Sequence, residues 1–325
     1  MKDKTSSQRT ATGCGIALAL GAALTLGAPV AAQAQQVTFM TGPQGGSWIP
    51  LGGALKGLWE NVVPDLKIQM TPGAGISNVR GVDAGKAQIG FGNSITTVDG
   101  VKGNPPYPKA TTNVCQVANL YPQYFQVVAL ADSGINTVAD LKGKAAVMQP
   151  RGNTAEIITQ HILKTQGMTY DSLSKANFVA GYNDAVSMLK DGQAHVFTLG
   201  TTAPASSVMN LASARDIKLV GVDEKTLAEM QKINPGYSLA TIKAGTYQKQ
   251  DKDTKVIAYS THLIAACDLA EDTVYKMTKA MAEHAGDLAS VVKAISGLNA
   301  KAMAEDIGVP YHKGAAKYYK EVGAL

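Results

Sequence analysis

The 325-residue chain carries a net charge of +5 and is 45% hydrophobic. Its basic residues form no run and do not alternate with aromatic residues, so the charge does not indicate a nucleic-acid-binding surface. Only a short apolar segment near the start has the character of a targeting sequence. We therefore expect one large or two medium-sized domains, with no membrane-spanning segment after that start.

The first 34 residues have the pattern of a cleavable export signal. Lys2, Lys4 and Arg9 form a basic start, an apolar run covers 16–26, and 32–34 is a small-x-small cleavage motif. An uncleaved anchor helix is the alternative, but the apolar run is short for a membrane span. The sequence thus predicts export to a bacterial periplasm, which leaves 325 − 34 = 291 residues to fold.

Strands and helices are predicted to alternate along the rest of the chain, which favours a mostly parallel sheet. In the first series, strands are predicted at 37–40, 67–70 and 87–91, and helices at 51–61 and 76–84. A Pro/Gly-rich loop over 100–108 then precedes a strand at 114. In the second series, strands are predicted at 145–148, 178–179 and 195–199, and helices at 154–166, 184–190 and 205–212.

Two apolar, β-rich segments at 124–130 and 256–266 are predicted to cross between the two series, and helices follow from 271. The resulting prediction is an α/β protein of two lobes with a ligand cleft between them. Lobe 1 is expected to contain 35–123 and 265–325, and lobe 2 to contain 124–264.

Four glycine-containing turns each follow a predicted strand and precede a predicted helix. Such a turn leaves backbone N–H groups unpaired at a helix N-terminus, where the helix dipole favours an anion. In an open α/β sheet these turns lie at the carboxyl ends of strands, where ligands bind. We therefore predict that the turns bind a small anion, although each is also explained as an ordinary connection. The predicted binding residues in these turns are Gly45, Gly46, Ser47, Trp48, Ala74, Gly75, Asn78, Gly152, Asn153, Thr154, Gly200 and Thr201.

Other side chains are candidates because of their place beside these turns. Arg151 precedes the third turn and is a candidate countercharge for a carboxylate, the alternative being a solvated loop arginine. Trp48 is expected to wall the cleft, or else to pack on the adjoining strand. Asn93 and Ser94 are polar groups at a strand end, and Tyr121 and Tyr182 are further candidates.

Chemistry beyond binding has little support in the sequence. The metalloprotease, nucleophile-elbow, phosphate-loop and C-x-x-C motifs are absent, and the five histidines show no metal-ligand spacing. We expect no enzyme activity, cofactor or metal. Cys115 and Cys267 follow the signal and are either two buried thiols or one disulfide.

The order of several motifs resembles the TAXI family, the extracytoplasmic solute receptors of TRAP transporters. Residues 41–53 are similar to the family's opening T-G-x-x-G-G-x-Y-Y-P-L-G-G, and 71–78 to its T-x-G-(A/S)-x-x-N element. Residues 120–122, 140–144 and 268–275 are similar to the family's L-Y-P, D-L-K-G-K and D-L-x-E-D-x-V-Y.

The resemblance implies a periplasmic binding protein of the type II fold. Such a receptor closes on a small organic anion or amino acid, of the glutamate, glutamine or dicarboxylate class, and delivers it to TRAP membrane permease subunits. It also implies that Gly46, Ser47, Trp48, Ala74, Gly75 and Asn78 bind ligand, and that 151–154 is the equivalent of the family's G-S-G-T turn. The chain departs from the family where Trp48 replaces Tyr, and where Arg151 and Asn153 stand in the third turn.

Three other functions fit the same pattern. A substrate-binding protein of an ABC importer would share the fold and the compartment. A periplasmic enzyme on this fold would turn its ligand over, and a surface interaction protein would have a cleft indifferent to solutes.

Overall fold

The structure is a computed structural model that describes residues 35–234 and 236–325, so the predicted signal at 1–34 lies outside the described residues. The strands are β1 (Gln35–Met40), β2 (Leu66–Thr71), β3 (Ile89–Asn93), β4 (Cys115–Leu130), β5 (Ala145–Met148), β6 (Lys175–Phe178), β7 (Val196–Thr201), β8 (Ile217–Val220), β9 (Ser238–Ile242) and β10 (Thr254–Ala265). The helices are α1 (Trp48–Val62), α2 (Gly75–Asp83), α3 (Ser94–Lys102), α4 (Thr154–Thr165), α5 (Tyr182–Lys190), α6 (Ser206–Ala212), α7 (Glu224–Ile233), α8 (Glu271–Glu283), α9 (Ala285–Val291), α10 (Ala300–Met303) and α11 (Lys313–Glu321). Short 3₁₀ turns occupy Ala131–Ser133, Val138–Leu141, Tyr170–Ser172 and Lys293–Ile295.

The described strands form one mixed sheet in the order β2-β1-β3-β10-β4-β7-β5-β6, with β8 paired to β4 and β9 to β10. The β1–β2, β1–β3, β5–β6 and β5–β7 pairs are parallel. The long strands β4 and β10 are antiparallel to each other and join the two parallel groups. We call β1–β3, α1–α3 and α8–α11 the first half, and β5–β9 with α4–α7 the second half.

The predicted crossing segments are confirmed as parts of β4 and β10, except that β10 ends at Ala265, one residue before the predicted end. The predicted lobe boundaries at 123/124 and 264/265 fall within these two strands and stay a prediction. The loop predicted at 100–108 begins too early, because α3 extends through Lys102. Threonine, valine and glycine give α3 weak intrinsic helix propensity, so its burial against the sheet, and not its own sequence, stabilises it.

The core of the first half is built on one face of α1. Trp48, Leu51, Leu55 and Trp59 recur every three or four residues and are all buried, as helical periodicity requires. Aromatic contacts continue from this face into the sheet, where the ring centroids of Phe39 and Trp59 lie 5.6 Å apart. The second half has apolar clusters on both faces of its strands, as expected for strands covered by helices on each side.

Cys115 and Cys267 form a disulfide bond, which decides between the two alternatives that the sequence leaves open. The bond joins the first residue of β4 to the segment that follows β10. The C-terminal helices pack on the same region, where the Tyr319 hydroxyl donates to the carbonyl of Val117 at 2.6 Å. The start of β4 is thus held covalently and by the last helix.

Candidate ligand-binding cleft

A cavity of about 20 Å³ lies between the two halves, at the carboxyl ends of the parallel strands. Residues from both halves and from both long strands enclose it. Its lining residues are Pro43, Gly46, Ser47, Trp48, Ala74, Gly75, Asn93, Gln123, Asn153, Ala155, Tyr182, Gly200, Thr201 and Tyr259. No residue in this lining set carries a charge.

Four helices begin at this cavity. Its lining includes their N-cap residues, Ser47 of α1, Ala74 of α2, Asn93 of α3 and Asn153 of α4. Helix α5 contributes its first residue, Tyr182, whose backbone N–H donates to the Gln44 carbonyl. The N-cap side chains of α1, α2 and α3 accept no hydrogen bond from their own helices, so first-turn N–H groups remain available. Converging N-termini give the cavity a positive potential although no lining side chain is cationic.

The two halves are closed onto each other in this structure. The Ser47 and Thr201 hydroxyl oxygens lie 3.3 Å apart, and the Thr201 oxygen also accepts from the Ser47 backbone N–H at 3.4 Å. On another side of the cavity, the hydroxyl oxygens of Thr96 and Thr154 lie 3.2 Å apart. These direct contacts explain why the enclosed volume is small.

Hydroxyl and amide groups of the long strands complete the cavity wall. The Gln123 carboxamide, with its oxygen turned towards Trp48, accepts from the indole Nε1 at 2.6 Å and donates to the Gly200 carbonyl at 3.2 Å. The Tyr182 hydroxyl donates to the same carbonyl at 2.9 Å. Burial raises the pKa of the Tyr259 hydroxyl well above its usual value of 10, so it stays protonated and able to donate.

Asn93 has an unused hydrogen-bonding group at the cavity. Its side chain is only 3% exposed, and the described residues offer no partner to its Oδ1. Its Nδ2 lies against Gly75, so the carboxamide is placed where two helices of the first half begin. A buried polar atom without a partner is costly, which makes Asn93 a candidate contact for a bound molecule.

Residues 39–323 match the model of one protein family over almost the whole described chain. The chain belongs to the NMT1-like family. The matched range includes every residue that lines the cavity.

Solved structures share the fold of this NMT1-like protein. PhnD1 from Prochlorococcus marinus, in complex with methylphosphonate, has a TM-score of 0.54 at 12% identity, covering 90% of this chain and 100% of that one. A Streptococcus mutans structure, titled for glutathione import via GshT and the cystine ABC importer TcyBC, has a TM-score of 0.51 at 14% identity, covering 84% and 98%. An ancestral arginine-binding protein bound to arginine has a TM-score of 0.50 at 15% identity, covering 81% and 98%. The predicted two-lobed type II binding-protein fold is thereby confirmed.

The structure brings together nine of the fifteen residues predicted to bind ligand in this NMT1-like protein. Those that line the cavity are Gly46, Ser47, Trp48, Ala74, Gly75, Asn93, Asn153, Gly200 and Thr201. Both alternatives for Trp48 hold, since its ring borders the cavity and also stacks on Phe91 with centroids 5.3 Å apart. Contact of these residues with a ligand stays a prediction.

Six predicted residues lie outside the cavity lining, and Asn78 shows why. Its Nδ2 donates to the carbonyls of Met40, Thr41 and Phe91 at 2.8–3.2 Å, and its Oδ1 accepts from the Ala74 N–H at 3.0 Å. Every polar group of this buried carboxamide is therefore used within the first half. Asn78 holds the second turn in place and has no free donor for a ligand.

Arg151 is also placed differently from the countercharge prediction. Its guanidinium carbon lies 4.9 Å from the ring centroid of Phe178 and 5.3 Å from that of Tyr170, on the exposed side of the third turn. Cation–π attraction explains this position. Neighbouring Gly152 faces an outer groove together with Arg151.

The remaining three residues lie close behind the cavity wall. The Ser94 hydroxyl accepts from the Ser260 N–H at 3.1 Å, and the Gly45 carbonyl accepts from the Ser206 hydroxyl at 3.3 Å. Thr154 closes the cleft through Thr96, as described above. These three residues contribute to the shape and closure of the site.

Gln123 and Tyr259 are cavity residues that the sequence did not predict, whereas Tyr182 is confirmed as a cavity residue. Gln123 and Tyr259 belong to β4 and β10, where they stand opposite each other in the antiparallel register. The sequence could have indicated them only as polar residues at or beside two otherwise apolar segments. That these two residues pair across the strands is a long-range contact, which the local sequence does not show.

Within residues 35–234 and 236–325, no group of three or more His, Cys, Asp or Glu side chains is arranged to hold a metal ion. Over the same two ranges, no helix is both long and apolar enough to cross a membrane.

Proposed function

We propose that this protein is the substrate-binding receptor of a membrane importer and that its central cleft captures a small solute anion. The observation that supports this most directly is the meeting of four helix N-termini at a cavity lined only by uncharged residues. Backbone N–H groups and helix dipoles favour an anion there without a cationic side chain. Membership of the NMT1-like family and the type II fold agree with a binding role.

Closure is the step that couples binding to delivery. A ligand in the cavity contacts Ser47 and Gly75 of the first half together with Asn153 and Thr201 of the second half. Such contacts exist together only when the halves approach, so the ligand favours the closed form over the open one. The closed receptor then presents one surface, composed of both halves, to its membrane partner.

An ABC importer is the partner that we favour. The Streptococcus mutans structure of the same fold is titled for import through a cystine ABC importer, which associates this fold with such a permease. A TRAP permease is the second candidate, because residues 41–53 and 71–78 resemble TAXI receptor motifs. Uptake by the receptor with its cognate permease in proteoliposomes separates the two, since ABC import requires ATP and TRAP import requires an ion gradient.

Calorimetry and thermal unfolding of ligand-free refolded protein test the binding role. At a hundredfold excess over Kd, a true ligand adds about 2.7 kcal/mol to the free energy of unfolding. Tyr259→Phe should weaken binding about two- to tenfold through the loss of one hydrogen bond. Arg151→Ala is the control and should change Kd by less than about twofold, because an exposed charge is screened by solvent. Failure of every small anion, amino acid and neutral solute to bind would contradict a receptor role.

Export is tested separately from binding. We expect intact mass measurement of protein from the envelope fraction of the producing cell to show a chain that begins at Gln35. A full-length chain in the cytoplasmic fraction would contradict the predicted signal at 1–34.

A further inference from the structure

We propose that the cleft selects a compact hydroxy carboxylate and rejects the α-amino acid of the same size. This selectivity rests on the proposed receptor function and narrows the predicted ligand class, which includes both organic anions and amino acids. It follows from the groups that face the cavity and from those that do not.

An ammonium group in the cavity would have no anionic partner. Among the residues that the structure describes, no aspartate or glutamate lines the cavity, and the carboxylates of α3 and α4 have hydrogen-bond partners elsewhere. Glu156, two residues into α4, accepts from the Tyr170 hydroxyl at 2.8 Å, and Asp99 accepts from Asn234 Nδ2 at 2.8 Å. A buried ammonium without a carboxylate is strongly unfavourable, and the surrounding helix N-termini repel it further.

A carboxylate, in contrast, suits the same cavity. Helix N-termini of both halves begin at its wall, and hydroxyl groups of Ser47, Thr201 and Tyr259 supply additional donors. Burial also raises the pKa of the neighbouring Tyr121 hydroxyl to about 12, so it stays neutral, with its oxygen 3.0 Å from the Ser47 hydroxyl oxygen. A carboxylate accepts several such bonds at once, and bonds to a charged acceptor are stronger than neutral ones.

Asn93 favours a ligand that carries a hydroxyl group. Its Oδ1 is buried at the cavity and needs one donor from a bound molecule. A hydroxyl next to the ligand carboxylate supplies a single neutral donor. An ammonium would supply three donors and a full charge, of which a single amide oxygen satisfies only a part.

The dimensions of the cavity favour a ligand of few atoms. The cavity of about 20 Å³ is bounded by direct contacts between the halves at Ser47–Thr201 and Thr96–Thr154. That volume corresponds to roughly one water molecule in the fully closed form. A bound ligand must therefore separate the two halves slightly. Only a compact ligand keeps them close enough for the Ser47–Thr201 and Thr96–Thr154 contacts to remain.

Paired ligands that differ only in the group beside the carboxylate give the sharpest test. Calorimetry should show lactate binding at least about tenfold more tightly than alanine, and glycolate at least about tenfold more tightly than glycine. Equal or tighter binding of the amino acids, binding of glycine betaine, or binding of larger solutes only would overturn the proposed selectivity and leave the receptor function intact. Absence of binding by any solute would overturn the receptor function itself.

Variants of Asn93 test whether its carboxamide is responsible for the selectivity. Asn93→Asp should weaken lactate binding at least about tenfold and shrink the preference over alanine, since it adds a carboxylate to the cavity. Asn136→Asp makes the same charge change at an exposed site bonded to Lys218 and should alter neither affinity. If Asn93→Asp does not fold, Asn93→Ala should still reduce lactate binding more than propionate binding, because propionate lacks the hydroxyl. An unchanged lactate-to-propionate ratio would refute the role of Asn93.

Discussion

Gly75→Ala should prevent full closure of the cleft while leaving each half intact. A Cβ atom at this position would lie 2.5 Å from Asn93 Nδ2 and still closer to the Thr154 hydroxyl oxygen. Asn93 belongs to the first half and Thr154 to the second, so the added methyl group stands at the joint between them. Gly75 lies outside the positive-φ region, so alanine there introduces no backbone strain.

The size of the effect follows from these contacts. An ordinary contact needs about 3.5 Å, so the groups around residue 75 must separate by about 1 Å or more. Overpacking of this kind costs about 1–3 kcal/mol. The contact with Thr154 exists only in the closed form, so its share of this cost weakens closure and ligand affinity, by up to about 150-fold if it makes up the whole cost.

The assay measures the ligand affinity and the radius of gyration of the variant and of the unchanged protein. Calorimetry should give the weaker Kd, and small-angle scattering with saturating ligand should show a larger radius of gyration than the unchanged protein. Gly53→Ala is the matched control, because residue 53 is an exposed position of α1 with nothing within 4 Å of an added Cβ atom. That variant should bind normally and gain about 0.5–1 kcal/mol of stability from its better helix propensity.

Normal affinity and normal closure in Gly75→Ala would refute the proposed closure contact. The result would mean that α2 and α4 do not approach each other at residue 75 in the bound state. A loss of folding in Gly75→Ala, measured by far-UV circular dichroism, would show instead that the contact is needed within the fold and not only for closure.

Three further predictions concern stability. The Cys115–Cys267 disulfide closes a loop with a sequence separation of 152. Its reduction should lower the free energy of unfolding, measured by urea titration, by about 2–5 kcal/mol. An unchanged unfolding midpoint would contradict a stabilising role for the bond. Asn78→Asp should lower the free energy of unfolding by about 3 kcal/mol or more, because a carboxylate would face three carbonyl oxygens. This loss should exceed that of Asn78→Ala. Equal losses in the two variants would argue against the hydrogen bonds described for Asn78. Burial lowers the pKa of His262 to about 3. Since the unfolded value is about 6.5, protonation of His262 in the unfolded chain removes about 2 kcal/mol between pH 7.5 and pH 5. His262→Gln should reduce the measured acid loss by that amount, leaving the contributions of His161 and His312, whose pKa values burial also lowers, whereas the exposed control His284→Gln should leave the loss unchanged.

Local patterns predicted most of the architecture correctly. The alternation of short apolar segments with helical periodicity identified β1, β2 and α1, because the apolar spacing directly reflects which face is buried. Glycine turns after strands identified where helices begin, which is also a local property. Helix α3 was not predicted, because its stability comes from packing against the sheet and not from its own residues.

The same local logic explains why two candidate residues, Arg151 and Asn78, do not line the cavity. Arg151 stands one residue before the third turn in sequence, but side-chain direction is decided by the rings of Tyr170 and Phe178, which approach it only in the folded chain. Asn78 has the right composition for a ligand donor, yet carbonyls of β1 and β3 and the second-turn N–H already use its amide. Closeness along the chain does not show which partner a polar or charged side chain contacts in the folded protein.

By itself the sequence determined that this chain forms alternating strands and helices joined by glycine turns, because burial periodicity and turn chemistry are encoded over a few residues. The tertiary structure decided which turns meet and which groups face the cavity. The pairing of β4 with β10 brought Gln123 and Tyr259 to the cavity, and closure brought Gly75 to Thr154. These contacts join residues far apart in the chain, so their chemistry exists only after the two halves have folded and closed.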